Sequence, residues 1–112
     1  MILSNIIIEQ VDQILDDKCS ADYHNAPLAQ DWARVAKMSE EIGEAISELI
    51  SYSGQNPRKA IHPQAKERML AELADAAMTG IYAIQHFTKD TNETEDIIHA
   101  AMLKHISRLE KL

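Results

Sequence analysis

Cysteine, glycine, proline and aromatic residues are all scarce in this chain. Of its 112 residues, one is cysteine, three are glycine and three are proline, and aromatic residues make up 4%. The single Cys19 excludes an intramolecular disulfide, and the shortage of Gly and Pro disfavours a fold of many short strands joined by turns. Residues that favour helices, such as Ala, Leu, Glu and Lys, are abundant instead, so the composition predicts an all-α fold.

Basic charge and long uncharged runs are also lacking. The formal net charge is −7, whereas proteins that bind nucleic acids normally present a basic face to the phosphates. The most apolar stretch, residues 69–87, contains two acids and does not predict a membrane span. The chain does not open on a basic segment followed by an apolar stretch and a cleavage site. We therefore expect a single domain over residues 1–112 in the cytoplasm, with no nucleic-acid or membrane partner.

Apolar residues at helical spacing predict four helices, separated by segments that contain turn-forming residues. Helix one is predicted over residues 4–16, helix two over 29–51 and helix three over 63–87. Helix four is predicted to begin at Asn92, because Asn92 and Glu95 have the spacing of a capping box, and to end with the chain. Residues 17–28 are expected to be a loop, and residues 53–63 a loop with one helical turn.

The second and third helices carry the apolar residues that we expect to be buried. Helix three is apolar nearly all round, which is typical of a buried helix. Gly54 is expected to end helix two. Along helix two a stripe at helical spacing is expected to form core: Trp32, Val35, Ala36, Ile42, Ile46, Leu49 and Ile50.

Two acids interrupt the apolar third helix. Glu72 and Asp75 are the only formally charged residues between Met69 and Thr88, and their spacing of three places them on one face of a helix. Burying carboxylates is costly unless a partner compensates their charge, so we expect a bound cation. The alternative is an ion pair with another part of the chain, for which the candidates are Arg68, Lys104 and Arg108.

The second helix repeats this acidic spacing. Glu41 and Glu44 are three residues apart, and Glu48 continues the same edge. If helices two and three pack antiparallel, the two acidic pairs face one another. Hard divalent cations prefer such oxygen ligands, so the arrangement predicts Mg²⁺, with Mn²⁺ as a substitute. A Glu-rich segment is also typical of a solvated helix face, and that alternative stays open.

Both acidic pairs lie in segments that resemble the MazG-like all-α nucleotide pyrophosphohydrolases. Residues 32–45, WARVAKMSEEIGEA, resemble the first motif helix of that family, and residues 71–76, AELADA, resemble its second. The likeness covers roughly residues 29–110. Relatives of the family include dimeric dUTP pyrophosphatases and phosphoribosyl-ATP pyrophosphohydrolases. The resemblance implies a four-helix MazG-like bundle that is completed by oligomerisation, as a homodimer or homotetramer.

The resemblance also implies an activity and a set of site residues. The activity is Mg²⁺-dependent hydrolysis of a nucleoside triphosphate, NTP or dNTP, to the monophosphate and pyrophosphate. The implied metal ligands are Glu41, Glu44, Glu72 and Asp75. Glu40, beside Glu41, is the candidate to orient or deprotonate the attacking water, and we group the two as catalytic. The candidates for substrate binding are Trp32, which could stack on the base or belong to the core, Lys37 in the first motif, and Lys104 and Arg108 on the last helix.

Two other functions remain open from the sequence. Asp96 and His99 are three residues apart and form half of the ligand pattern of a carboxylate-bridged di-iron bundle, which requires two such pairs. None of the other histidines outside that pair follows an acid at this spacing. A non-enzymatic helical protein that binds a partner helix through its apolar stripe would share the same composition.

Overall fold

The computed structural model describes residues 4–23 and 27–112, and the chain is all-helical over these ranges. It contains helices α1 (Asn5–Tyr23), α2 (Pro27–Tyr52), α3 (Ala65–Thr88) and α4 (Thr91–Glu110). No strand occurs in the described ranges, so the predicted all-α fold class is confirmed. None of the helices described is long and apolar enough to cross a membrane.

The helix ends differ from those predicted. α1 continues to Tyr23, through a segment that we expected to be loop. The Asp and Ser residues there have only weakly unfavourable helix propensities, and a side-chain bond of 2.9 Å from Gln13 to Asp17 spans the start of the segment. α2 begins two residues earlier than predicted, at Pro27, whose fixed φ suits the first turn of a helix. α3 begins two residues later than predicted, at Ala65.

Gly54 ends α2 as predicted, and it does so through a specific cap. Gly54 has a φ of +70°, in the left-handed region. Its N–H donates to the Ser51 carbonyl at 3.3 Å and the N–H of Gln55 donates to the Ile50 carbonyl at 3.2 Å, which together form a Schellman motif. A Cβ on Gly54 would lie 3.2 Å from Ile61 Cδ1, so the end of α2 lies directly against the later part of the loop.

Two residues, Lys89 and Asp90, form the turn between α3 and α4. Lys89 has a φ of +55°, and its N–H donates to the Gln85 carbonyl at 2.9 Å. Asp90 Oδ1 accepts hydrogen bonds from the N–H groups of Asn92, at 2.9 Å, and Glu93, at 3.4 Å. The N-cap of α4 is therefore Asp90, and the predicted cap at Asn92 was wrong. Asp90 has extended backbone angles, which allow its carboxylate to reach these two donors.

α2 and α3 form an antiparallel hairpin, and α1 contacts both of its helices. The first turn of α4 contacts the end of α3 and α1. Every residue of α4 from His99 onward is exposed. The predicted core stripe of α2 is not buried within one chain, since Trp32 is 76% exposed and Ile46 is 52% exposed. Leu70 and Leu73 on α3 are also about half exposed, so the expectation of a fully buried third helix was wrong. An apolar stripe is buried only where another element faces it, and the described part of this chain does not provide that element.

Candidate metal centre

The α2–α3 hairpin brings three of the four predicted metal-binding carboxylates together, those of Glu41, Glu72 and Asp75, and places the fourth, Glu44, beside Glu72. We call these four residues the acid cluster. One carboxylate oxygen from each of Glu41, Glu72 and Asp75 lies within 4.8 Å of the other two. Glu44 lies near enough to Glu72 for the two carboxylates to interact. One turn further along, Glu48 Oε1 and Arg68 Nη2 form an ion pair of 3.2 Å between the two helices. The two acidic pairs therefore face each other across the hairpin.

One member of the acid cluster, Glu44, lies where negative charge is disfavoured, and another, Glu72, has a buried oxygen without a hydrogen-bond partner. Desolvation by the neighbouring side chains raises the pKa of the exposed Glu44 carboxyl, and the negative charges of Glu72 and Glu40 raise it further. Glu72 Oε2 is buried and accepts no hydrogen bond from the described residues. An unpaired buried acceptor loses its hydration without replacement. Both features would be relieved by a cation bound between the carboxylates.

The residues of the acid cluster suit a hard divalent cation. All four side chains offer oxygen, the ligand atom that Mg²⁺ prefers over nitrogen and sulfur. Glu41 and Glu72 are half-buried whereas Asp75 is exposed, so one side of the cluster is open to solvent. Glu72 and Asp75 form no ion pair with the described residues, since Arg68 pairs with Glu48 instead. The oxygen ligands, the open side and the unpaired Oε2 of Glu72 together fit a bound Mg²⁺ ion.

Lys37 and Glu40 border the acid cluster on α2. Lys37 Nζ lies 2.9 Å from Glu40 Oε2 and 3.7 Å from Glu41 Oε1. The hydrogen bond to Glu40 raises the pKa of Lys37, against a smaller opposing effect of desolvation, and the negative charges of Glu40, Glu41 and Glu44 raise it further. Lys37 therefore remains positively charged next to the acids. Glu40 is mainly exposed and its carboxylate is held by Lys37, which places it beside the acid cluster rather than within it.

Trp32 lies away from the acid cluster. Nine residues of α2 separate it from Glu41, which corresponds to about 13 Å along a helix. Its indole is exposed and borders a shallow groove with Asp31, Val35 and Phe87. The structure thus leaves the ring accessible for stacking and does not place it beside the carboxylates.

Lys104 and Arg108 are not brought to the acid cluster within one chain. Both lie in the exposed part of α4, and over residues 4–23 and 27–112 that helix makes no contact with α2. The di-iron alternative fares no better, because Asp96 and His99 are exposed on the same helix and join no third metal-ligating group in the part of the chain that is described. The relative direction of α4, which the sequence does not specify, decides both outcomes.

A second charged cluster, which the sequence analysis missed, connects α1 to the other end of the hairpin. We call it the junction cluster. Arg34 Nη2 lies 2.7 Å from Asp12 Oδ1 and 3.1 Å from Asp16 Oδ1. Lys89 Nζ lies 2.8 Å from Asp12 Oδ2 and 2.6 Å from Asp16 Oδ2. His86 Nε2 completes it, 2.7 Å from Asp31 Oδ1.

Ion pairing, rather than metal binding, accounts for the junction cluster. Asp12, Asp16 and His86 have ligand atoms close enough to share a metal, but Arg34 and Lys89 already neutralise both carboxylates. Burial would raise the pKa of Asp16, yet hydrogen bonds from Lys89 and Arg34 lower it below its ordinary value. The available sequence signal was the spacing of Asp12 and Asp16, which lie on the same side of α1 as buried Ile8.

No protein-family model, curated protein or solved structure matches the chain. The resemblance to MazG-like enzymes therefore depends on the motif residues in segments 32–45 and 71–76 and on their placement across one hairpin.

Proposed function

We propose that this chain is a MazG-like, Mg²⁺-dependent pyrophosphohydrolase that converts a nucleoside triphosphate to its monophosphate and pyrophosphate. The observation that carries the proposal is the acid cluster, in which Glu41, Glu72 and Asp75 converge within 4.8 Å and Glu72 keeps a buried, unpaired oxygen. These carboxylates belong to the two segments that resemble the motif helices of that family. An acidic protein that binds an anionic substrate also needs a cation between the two.

The residues of the acid cluster and the two residues beside it have different roles in the proposed reaction. Neutralisation of phosphate charge and activation of water are what Mg²⁺ supplies when it is bound here, held by Glu41, Glu44, Glu72 and Asp75. Glu40 is the candidate to accept a proton from the attacking water, because its carboxylate lies next to the cluster and is kept in place by Lys37 at 2.9 Å. Since Lys37 stays charged, it is also positioned to donate to a phosphate oxygen.

The surface of the single chain supports a homo-oligomer. The accessible surface is 8255 Å², whereas a compact monomer of 12.6 kDa would expose about 6,200 Å². The radius of gyration is 17.0 Å, against about 13 Å for a compact domain of this length. The half-exposed groove between α2 and α3, lined by Ile42, Ile46, Leu49, Met69 and Leu73, offers a surface that a second copy would cover. A second copy is also the route by which Lys104 and Arg108 could approach the acid cluster.

The test is product analysis with a panel of canonical and modified nucleoside triphosphates in excess Mg²⁺. We expect monophosphate and pyrophosphate, and a loss of turnover by at least about a hundredfold in both Glu41→Gln and Asp75→Asn. Asp96→Asn is the matched control, because it makes the same kind of change on an exposed face of α4 and should retain activity. Undiminished turnover in Glu41→Gln would refute the proposal. So would release of a nucleoside diphosphate and orthophosphate in place of the monophosphate and pyrophosphate.

The exposed apolar stripe of α2 also favours a second candidate, a non-enzymatic protein that binds a partner helix. This candidate predicts no turnover of any nucleotide and no stabilisation of the chain by Mg²⁺. The proposed enzyme predicts turnover of a nucleotide and stabilisation of the chain by Mg²⁺. Thermal unfolding with and without Mg²⁺ therefore separates the two functions even before a substrate is identified.

A further inference from the structure

A polar cavity of about 440 Å³ opens between the loop 53–64 and the end of the α2–α3 hairpin. This volume falls in the range typical of small-molecule sites. The Schellman cap at Gly54 turns the chain at the end of α2, next to the cavity, and Ile61 lies close to this cap. The polar lining of the cavity comes from both helices and from the loop, and includes Ser47, Ser51, Asn56, Lys59, His62 and Arg68.

The lining is rich in hydrogen-bond donors because several of its acceptors are already occupied. His62 Nδ1 accepts the N–H of Gln64 at 3.0 Å, so the ring proton resides on Nε2, which can donate. Asn56 Oδ1 accepts the N–H of Arg58 at 3.1 Å, which leaves the amide NH₂ group as a donor. Ser47 and Ser51 add hydroxyl groups. Such a set of donors suits a ligand made mainly of acceptors.

The cavity is locally cationic within a protein whose net charge is −7. Lys59 and Arg68 line it, and Glu48 is the one acid among its lining residues. Lys59 has no acidic partner over residues 4–23 and 27–112, while Arg68 pairs with Glu48 through one terminal nitrogen and keeps about half of its side chain exposed. Both cations thus remain available to an anion, and a bidentate guanidinium suits phosphate oxygens in particular.

The cavity continues the same face of the hairpin as the acid cluster. Glu41, Glu44 and Glu48 follow one edge of α2, and Arg68, Glu72 and Asp75 follow the facing edge of α3. From Glu41 to Glu48 the helix rises about 10 Å, so the cations begin roughly two turns from the far end of the acid cluster. A ligand that reaches both must carry its negative charge along an extended chain, as a triphosphate does.

The polarity of the cavity also decides which end of the nucleotide it receives. Among its lining residues only His62 carries a ring, and the apolar contribution is limited to parts of Ile50 and Ala60. A nucleobase requires a flat stacking partner, which Trp32 offers at the opposite end of α2. The charged phosphates are the part of the substrate that this lining matches.

We propose that the cavity binds the β and γ phosphates of the substrate, and afterwards the pyrophosphate product, through Lys59, Arg68 and the donors beside them. The site as an oligophosphate site follows from the lining alone, whereas its assignment to the β and γ phosphates rests on the proposed function. The triphosphate then lies along the hairpin, with the scissile bond at the acid cluster and the leaving group over the loop. Lys59 and Arg68 are binding residues that stabilise the departing charge.

The experiment uses inorganic pyrophosphate as the probe, titrated calorimetrically into the full-length chain without a metal and without turnover. We expect binding to the native chain and about tenfold weaker binding to Lys59→Gln, with a comparable loss in Arg68→Gln. Lys66→Gln is the matched control, because Lys66 is exposed on α3 outside the cavity lining. Equal affinity in Lys59→Gln and Lys66→Gln, or no binding to the native chain, would overturn the proposal.

Turnover measurements separate this inference from the proposed function. If the chain hydrolyses triphosphates, Lys59→Gln should raise KM and weaken product inhibition by pyrophosphate, whereas Glu41→Gln should abolish kcat. Hydrolysis that is identical in Lys59→Gln and Lys66→Gln would refute the cavity assignment and leave the enzyme proposal intact. If pyrophosphate binding depends on Lys59 but the chain hydrolyses no nucleotide, the proposed anion site would be supported and the proposed enzymatic function refuted.

Discussion

Glu44 lies in surroundings that oppose its ionisation. The pKa of Glu44 is raised above the ordinary value of 4.5, first by desolvation and then by the carboxylate of Glu72. The folded chain therefore holds this proton more tightly than the unfolded chain does. Below the ordinary pKa both states are protonated and no penalty exists, whereas above the raised pKa both are ionised and the penalty is complete. On this account the metal-free protein loses stability as the pH rises through this range.

Glu44→Gln should reveal this penalty directly. In the absence of divalent cations we expect the variant to unfold at a higher temperature than the native chain at neutral pH, and the gain should vanish well below pH 4.5. In Mg²⁺ the variant should gain less stability than the native chain, because it lacks one ligand. Thermal unfolding across pH, with Glu110→Gln at the exposed end of α4 as control, measures both effects. A gain that does not change with pH would contradict the assigned cause.

The residues of the acid cluster were predictable because a helix converts spacing into position. Glu41 and Glu44, like Glu72 and Asp75, share a face whatever the rest of the chain does. The junction cluster was not predictable in this way, since Lys89 and Asp12 are separated by 77 residues and meet only through tertiary packing. Glu72 was identified as a costly carboxylate from its apolar neighbours alone, but the unpaired state of its Oε2 could be seen only in the structure.

Among the helices, α4 depends most on its own local signals, because few of its side chains are covered. Its buried residues, Thr91 and Thr94, both lie in the first turn. The cap at Asp90 is therefore a principal determinant of where this helix starts. Helix ends without such a partner leave their first N–H groups unpaired.

We predict that Asp90→Ala destabilises the protein by about 1 kcal/mol, the usual cost of losing a capping side chain. Asn92→Ala is the matched control, since Asn92 donates its backbone N–H to Asp90 and that bond survives the substitution. Urea unfolding followed by circular dichroism measures the difference. If Asn92→Ala proved the more damaging change, the cap predicted from the sequence would be right and the observed one wrong.

The number, order and approximate bounds of the helices were predictable from apolar periodicity and from Gly54. The errors occurred where local propensity was nearly neutral, as over residues 17–23, and where two capping residues stood close together, as at Asp90 and Asn92. At such positions differences of a few tenths of a kcal/mol decide the outcome, and side-chain contacts supply them. Helix directions, which place Lys104 away from the acids, are not encoded in periodicity at all.

A single chain exposes more apolar surface than a compact monomer does, and we expect a second surface to cover it. The expectation of a buried stripe on α2 failed for one chain because burial depends on what faces the stripe, and the sequence of one helix does not reveal that. The groove lined by Ile42, Ile46 and Leu73 is flanked by two long helices and is the surface we expect at the centre of a homo-oligomer.

Ile46→Glu should therefore dissociate the protein. The residue is 52% exposed in the single chain, so a carboxylate there can remain hydrated in a monomer but would be buried in an assembly. We expect light scattering to give a multiple of 12.6 kDa for the native chain and 12.6 kDa for the variant. Leu112→Glu, at a residue that is 99% exposed, should leave the mass unchanged. A native chain that scatters as 12.6 kDa would end the proposal of an oligomer.

The manner in which α1 is attached has a consequence for how the protein comes apart. Among the described residues of α1, Ile8 is the one buried apolar residue. The principal links between α1 and the hairpin are the ion pairs that Asp12 and Asp16 make with Arg34 and Lys89. Salt screens the partly exposed pair of Asp16 and Lys89 and acid removes the charge of Asp16, whereas neither directly weakens the apolar contacts between α2 and α3. We therefore expect α1 to open as a separate cooperative unit. Its amide hydrogens would exchange with solvent in a partly open state in which the hairpin, with the acid cluster, stays protected.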